Sequence, residues 1–239
     1  MDYGLQMYSV RDITKDNMDG ALRMVSEIGY KFVEFAGFFG IPAKDIRAML
    51  GKYGLTVSGT HTGWQEVADH FAETVAYHKA IGNKNIIIPG ADLKDQAKID
   101  AFVKMANECQ PKLASEGLTF GYHNHSFEFI PNADGSLIYD QLVERTKLLL
   151  EIDTYWAYVG KQDAVALMEK LKDRLHVIHL KDGDIAGEGV PLGQGTCPIV
   201  DIRAKAIALK VPMVVESESL KPDGITEARV CMDYLKTLA

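Results

Sequence analysis

Cysteine is scarce in this chain: Cys109, Cys197 and Cys231 are the only three. They are odd in number, widely spaced and form no CxxC, which argues against a disulfide framework or a thiolate zinc site and leaves free thiols. No apolar run approaches the roughly 20 residues of a membrane span. A basic excess is also missing. Lys and Arg total 26 against 33 Asp and Glu, for a net charge of -7, and such a surface is unsuited to broad contact with a phosphate backbone. Neither nucleic acid nor membrane is therefore an expected partner. No GxGxxG follows the first strand-like segment, where the sequence reads Ser9-Val10-Arg11-Asp12. No signal peptide is visible, which reads as cytoplasmic, although a chain trimmed of a leader would look the same.

What is present is a strict alternation. The 239 residues are 47% hydrophobic and 25% charged, which suits one domain over 1–239 with a sizeable core. Strands are expected at Tyr3–Val10, Tyr30–Gly37, Thr56–Gly63, Asn85–Gly90, Leu118–His125, Lys147–Thr154, Leu175–Asp182 and Pro212–Ser219. Helices are expected between and after them at Asn17–Ile28, Pro42–Tyr53, Gln65–Ile81, Asp95–Ser115, Ile138–Arg145, Asp163–Leu171, Asp201–Leu209 and Thr226–Leu238. Gly29, Gly54, Gly82 and Gly117 stand where helices give way to strands, as C-cap chemistry requires. Eight strand–helix units imply parallel strands with crossover helices. The count and the length fit a single α/β domain, the closed (β/α)₈ TIM barrel, better than an open doubly wound sheet.

In such a barrel, chemistry sits at the C-terminal strand ends. Polar residues gather there: Gln6 and Tyr8, Glu34, His61, His123 to His125, Glu151 and Asp153, His179 to Asp182, and Glu216 and Glu218. Side-chain period two puts Asp153, His179 and Glu216 on the faces of strands six, seven and eight that meet at one level. Two carboxylates and an imidazole suit a divalent metal, Mn²⁺, Mg²⁺, Co²⁺ or Zn²⁺, with positions left open for substrate. His123 or His125 completes the set. His70, His78 and His176 lie elsewhere and are expected to be structural. Trp64, Tyr155 and Trp156 fit either a core or a sugar-stacking wall. Lys181 and Asp182 fit a surface ion pair or a site role, and Gly193-Gln194-Gly195 a flexible turn or part of a phosphate or hydroxyl pocket.

The string Gln6-Met7-Tyr8-Ser9-Val10-Arg11-Asp12 resembles the opening strand of the sugar phosphate isomerase/epimerase family, one of the xylose isomerase-like TIM barrels. Further matches are Val33-Glu34-Phe35, Gly59-Thr60-His61-Thr62, the run Tyr122 to Phe129, Glu151-Ile152-Asp153-Thr154, His179-Leu180-Lys181-Asp182, Leu192-Gly193-Gln194-Gly195 and Val215-Glu216. They span strand one to strand eight. The family's metal set is a Glu from strand five, an Asp from strand six, a His from strand seven and a Glu from strand eight. The resemblance carries the last three onto Asp153, His179 and Glu216. His123 stands where the strand-five Glu would be, and inosose dehydratases resemble this chain in having a His-rich strand five. That departure removes one member of the acid/base pair of the simple epimerases.

The resemblance implies a metal-dependent isomerase or epimerase that removes a proton α to the carbonyl of a small sugar or keto-sugar. Glu216, His123 and Glu128 are the candidate bases, and Lys181 offsets negative charge on the intermediate. Substrate binding then falls to Tyr8, Glu34, His61, His125 and Trp156. Expulsion of a β-oxygen from the same intermediate would make the enzyme a dehydratase or lyase. A non-catalytic sugar-binding barrel is a further alternative. Endonuclease IV-type phosphodiester cleavage is disfavoured by the acidic balance. An unphosphorylated substrate is expected, and the resemblance leaves a homo-oligomer open.

Overall fold

The computed structural model describes residues 1–238. Eight parallel strands close into one barrel: β1 Gly4–Gln6, β2 Phe32–Phe35, β3 Thr56–His61, β4 Asn85–Ile88, β5 Thr119–His123, β6 Leu149–Asp153, β7 Leu175–Leu180 and β8 Met213–Val215. Each strand pairs with its sequence neighbours, and β8 closes the ring against β1 through Gly4↔Val214 and Leu5↔Val215. Helices alternate with the strands, so the expected (β/α)₈ TIM barrel is the fold. No helix of the described residues is long and apolar enough to cross a membrane.

The isoleucine run of β4 is apolar on both faces because each face is covered. On β4, Ile86 and Ile88 point outward and join Phe102 and Ala106 of the helix Gln96–Ser115. Ile87 points inward and meets Val177, Val214 and Phe32 in a small plug. Two glycines make room for that plug. A Cβ on Gly4 would lie 2.2 Å from the Phe32 ring, and one on Gly59 would lie 2.7 Å from Cδ1 of Ile87. One period beyond Phe32, Val177 and Val214 stand Glu34, His179 and Glu216. The plug is thus the floor on which a layer of polar side chains rests, towards the C-terminal mouth.

Local chemistry sets the element ends. Gly29, Gly54 and Gly82 cap their helices in the left-handed conformation, with φ of 115°, 65° and 82°. Strand one is shorter than the Tyr3–Val10 expected. The Gln6 side chain accepts the backbone N–H of Tyr8 at 3.0 Å and turns the chain into a 3₁₀ helix, Met7–Val10. The helix expected over Gln65–Ile81 breaks at His70 into Trp64–Asp69 and Phe71–Ile81. An additional helix, Thr154–Val159, starts directly at Asp153, whose Oδ1 accepts the N–H of Trp156 at 2.8 Å. The loop after β7 carries a short antiparallel pair, Asp182–Gly183 with Gly189–Val190.

His78 lies buried between β3 and its helix. The Asn83 amide donates to its Nδ1 at 3.0 Å, which leaves Nε2–H to face Thr62 Oγ1 at 3.4 Å. Protonation would set a second donor against the amide, and burial pushes the pKa down to about 4. The unfolded chain, with an ordinary imidazole near 6.5, binds the extra proton first. His78 therefore stabilises the fold fully above about pH 6.5, and the contribution is lost as pH falls towards 4, at up to about 1.4 kcal/mol per pH unit. Urea unfolding of the native chain and of His78→Gln at pH 8 and pH 5 should show the native chain losing more stability. Equal losses would contradict this.

Candidate metal centre

Asp153, His179 and Glu216 come together as the strand faces require. Asp153 pairs in register with His179, and the N–H of Glu216 donates to Leu180 O at 3.0 Å, which carries β8 one step further along β7. Nδ1 of His179 lies 3.3 Å from Glu216 Oε2 and 3.8 Å from Asp153 Oδ2. His123 presents Nε2 to the same oxygen of Asp153 at 3.4 Å. Its Nδ1 faces the carbonyl of Pro89 at 3.4 Å, an arrangement that makes Nδ1 the N–H and leaves Nε2 a lone pair. All four side chains are buried.

A second layer grips His179 from its other nitrogen. Nε2 lies 2.9 Å from Glu34 Oε1 and 3.1 Å from Glu151 Oε1. His61 Nε2 closes the group at 2.7 Å from Glu151 and 3.2 Å from Glu34, and the Gln6 amide donates to Glu34 at 2.7 Å. Glu34 and His61, expected to bind substrate, are therefore engaged with each other here, although His61 also borders the cleft above. Glu151 was legible as a strand-end acid on the same face as Asp153, without an assigned role. Its period-two relation to Asp153 is the signal that points it at this cluster.

Burial and neighbouring charge compete at these groups. For His61, burial is overcome by Glu34 and Glu151, which push its pKa up to about 10. His179 is raised too, because Glu151, Glu34 and Glu216 outweigh its burial. His123 goes the other way: burial and the charges of His179 and His61 push it down to about 3. Glu216 is held well below the usual carboxylate range despite its burial, by Lys181 and His179. Asp153 is raised by burial.

The donor set fits a divalent cation. The ligand atoms of His123, Asp153, His179 and Glu216 all lie within 4.8 Å of one another. Two of them, His123 Nε2 and Asp153 Oδ2, are buried without a hydrogen-bond partner, and buried polar atoms are seldom left so. A second group, His61, His123, Glu151 and His179, meets the same distance test. There, however, His179 Nε2 and His61 are already engaged with Glu34 and Glu151. A ligating imidazole that gives its other nitrogen to a carboxylate is the usual arrangement, and it favours the first group, with Glu34 and Glu151 as the orienting acids.

Above the cluster opens a cleft of about 390 Å³, bordered by Tyr8, His61, His123, His125, Glu216 and Glu218. Burial, with His123 beside it, pushes the pKa of His125 down to about 4. Lys181 is buried, with its Nζ ion-paired to Glu218, 3.5 Å from Glu216 and 4.5 Å from the centre of the Trp156 ring. Trp156 thus backs Lys181 and does not border the cleft. Glu128 is turned away as well. Its carboxylate accepts from Tyr122 Oη at 2.7 Å and from the N–H of His125 at 2.9 Å, which fixes the turn that carries His125. Burial pushes its pKa up to about 7.

Asp182 forms no surface ion pair with Lys181. It is buried, and its carboxylate accepts the N–H groups of Gly183, Gly193, Gly195 and Cys197 at 2.8–3.1 Å. The Gly193-Gln194-Gly195 loop therefore has two of its donors already spent on Asp182 and does not offer them to a phosphate.

The family model described as xylose isomerase-like TIM barrel matches residues 22–238. A sugar phosphate isomerase/epimerase from Parabacteroides distasonis ATCC 8503 is 26% identical, and its structure matches with a TM-score of 0.87 over 98% of this chain and 97% of that one. The probable 3-DHS dehydratase involved in petrobactin synthesis from Bacillus anthracis shares the fold, at 12% identity and a TM-score of 0.78 over 99% of both chains. An inosose dehydratase from Geobacillus kaustophilus (strain HTA426) is 23% identical over 193 residues, and the match covers 69% of this chain and 61% of that protein. The chain thus spans less than two thirds of that relative's length.

Asp153→Ala and His179→Ala should each weaken Mn²⁺ or Zn²⁺ binding to the chelator-treated protein, read by titration calorimetry. Glu34→Gln should weaken it less, by about 10–100-fold, as expected for an orienting partner. Full affinity in both alanine variants would refute the ligand assignment.

Proposed function

The chain belongs to the xylose isomerase-like TIM barrel family, and from that premise we propose that it is a metal-dependent isomerase or epimerase that removes a proton α to the carbonyl of a small sugar or keto-sugar. The observation that carries this reading is the convergence of His123, Asp153, His179 and Glu216 at the base of a sugar-sized cleft, with unpartnered Nε2 and Oδ2 atoms aimed into one space. Ligand pockets of a few hundred Å³ suit one small molecule. These four residues would hold a divalent cation, which when bound polarises a neighbouring carbonyl and favours ionisation of the adjacent C–H.

The proton chemistry then falls to the ionisable residues that border the cleft outside the donor set. His61 is tied to Glu34 and Glu151. Glu128 is tied to Tyr122 and the His125 N–H. Tyr8 lies under the Arg11 guanidinium, and of the imidazole and carboxylate groups His125 and Glu218 remain. His125 follows β5 and Glu218 follows β8, three strand positions apart around an eight-stranded ring. That separation supports two groups that act from different sides of a sugar ring. His125 takes the proton from the α carbon at a ring nitrogen. Glu218 delivers one from its carboxyl in the protonated form, which burial and the neighbouring Glu216 favour, and Lys181, its ion-pair partner when it is ionised, offsets the charge that builds on the substrate oxygen. Return of the proton to the other face, or to the neighbouring carbon, gives epimerisation or isomerisation.

A lyase or dehydratase reading rests on one feature of this site. β5 supplies the imidazole of His123 where a second cleft carboxylate would stand, and the acid side is a Lys–Glu pair suited to protonating a departing oxygen. The relatives include enzymes of both kinds.

Solvent-deuterium exchange into ketoses, inososes and 3-keto-sugars should occur and should stop with chelator. His125→Asn should lower the rate by about 10²–10⁴-fold, the usual contribution of a positioned base, while metal content stays unchanged. The product separates epimerase from dehydratase. Absence of exchange across the panel, with sugar affinity indifferent to chelator, would favour a binding barrel and overturn the proposal.

A further inference from the structure

A second cavity, of about 280 Å³, adjoins the cleft, and Tyr8, Ala36 and Gly37 border both. Met7 and Met18, both buried, line its depth, and Phe39 stands at its edge. We propose that this cavity is a subsite for an aromatic substituent carried by the substrate, joined to the sugar ring that occupies the cleft. The proposal rests on the reading of the cleft as a sugar site and adds to it that the sugar is not bare.

Three observations select an aromatic group. First, the large apolar residues of the lining are thioether and aromatic, beside Arg11, Thr14 and Lys15. Methionines adapt to and attract aromatic faces, and Tyr8, 42% exposed on the shared wall, offers a ring to whatever spans the two spaces. Second, of the two cations at the cavity, Arg11 and the exposed Lys15, the one that also reaches the cleft loops is not free to clamp an anion. Arg11 lies 4.3 Å over the Tyr8 ring, donates Nη1 to the Tyr8 carbonyl at 3.0 Å and gives Nη2 to the Glu218 carbonyl at 2.7 Å. It ties the loops after β1 and β8 together and stiffens the aromatic wall. Third, Phe39 and its neighbour Phe38 behave oppositely. Phe38 packs inward on Phe35 and Tyr77, with ring centres 5.2 and 4.4 Å away. Phe39 is left 47% exposed with φ of 51°, between Gly37 at 100° and Gly40 at 76°. A bulky residue rarely adopts that backbone. Here it holds a large apolar ring in solvent beside a cavity, where an apolar ligand would cover it.

The test uses matched methyl and 4-nitrophenyl glycosides of glucose, galactose and xylose, with 4-nitrophenol alone, and reads affinity by ligand-observed NMR on the metal-loaded protein. The 4-nitrophenyl member of at least one pair should bind about tenfold more tightly than its methyl partner, as burial of one aryl ring allows after the costs of ordering. Phe39→Ala should bring the ratio towards one, and Met18→Trp, which fills the cavity, should do the same. Phe39 is exposed, so its truncation leaves the core intact even if Met18→Trp fails to fold. Equal affinities within every pair, a preference that survives Phe39→Ala, or no binding of any aryl compound would overturn the proposal. Tighter binding of glucose 6-phosphate than of the aryl glucoside would overturn it in favour of an anion subsite. Failure of the sugar chemistry itself would appear separately, as missing chelator-sensitive exchange with these ratios unchanged.

Discussion

The structure depends on a concentration of buried charge at the mouth of the barrel. Glu34, Glu151, Asp153 and Glu216 are each at most 4% exposed. Four carboxylates removed from water must be compensated or neutralised. The chain supplies Lys181, and these same acids raise the pKa of His61 and His179 above the ordinary imidazole value, which favours their charged forms. A divalent cation would take over part of that role and needs His179 neutral at the nitrogen that binds it, so metal uptake and proton release are linked. No core built for stability alone would gather such groups. The apolar plug of Ile87, Val177 and Val214 beneath them is what lets the barrel carry them.

Carboxylates one step from the cleft perform a quieter task. Asp153 caps the helix Thr154–Val159 with one oxygen and keeps the other free. Glu128 fixes the turn that carries His125. Asp182 gathers four N–H groups of the loop after β7. Glu227, on the last helix, accepts from Ser217 Oγ at 2.8 Å and from the N–H of Lys221 at 2.8 Å, and so anchors the segment that bears Glu218. The loops over the mouth are held by buried acids, which limits the freedom of the residues that meet substrate.

Much of this was legible in the chain before folding. Strand–helix alternation and glycine caps are local signals, and they led to the closed barrel. Period two was enough to bring Asp153, His179 and Glu216 to one level. What stayed hidden depends on contacts distant in sequence. Period two puts Glu151 on the face of Asp153, but its partner His61 lies 90 positions away and does not show in the chain. Asp182 reads as half of an ion pair or as a site residue until the loop folds back over 11 to 15 residues to reach it. The early end of strand one follows from a single Gln6 side-chain bond, and the break at His70 has no proline or glycine to announce it.

The two faces of His179 decide the chemistry. If Nδ1 is the coordinating nitrogen, the metal sits below the cleft with His123, Asp153 and Glu216, and Glu34 and Glu151 orient the ring from behind. Crystals grown with Mn²⁺ and measured at the manganese absorption edge test this most directly. One anomalous peak within bonding distance of His123, Asp153, His179 Nδ1 and Glu216 is the expected result. A peak enclosed by Glu34, His61 and Glu151 instead, or none at all, would contradict the assignment.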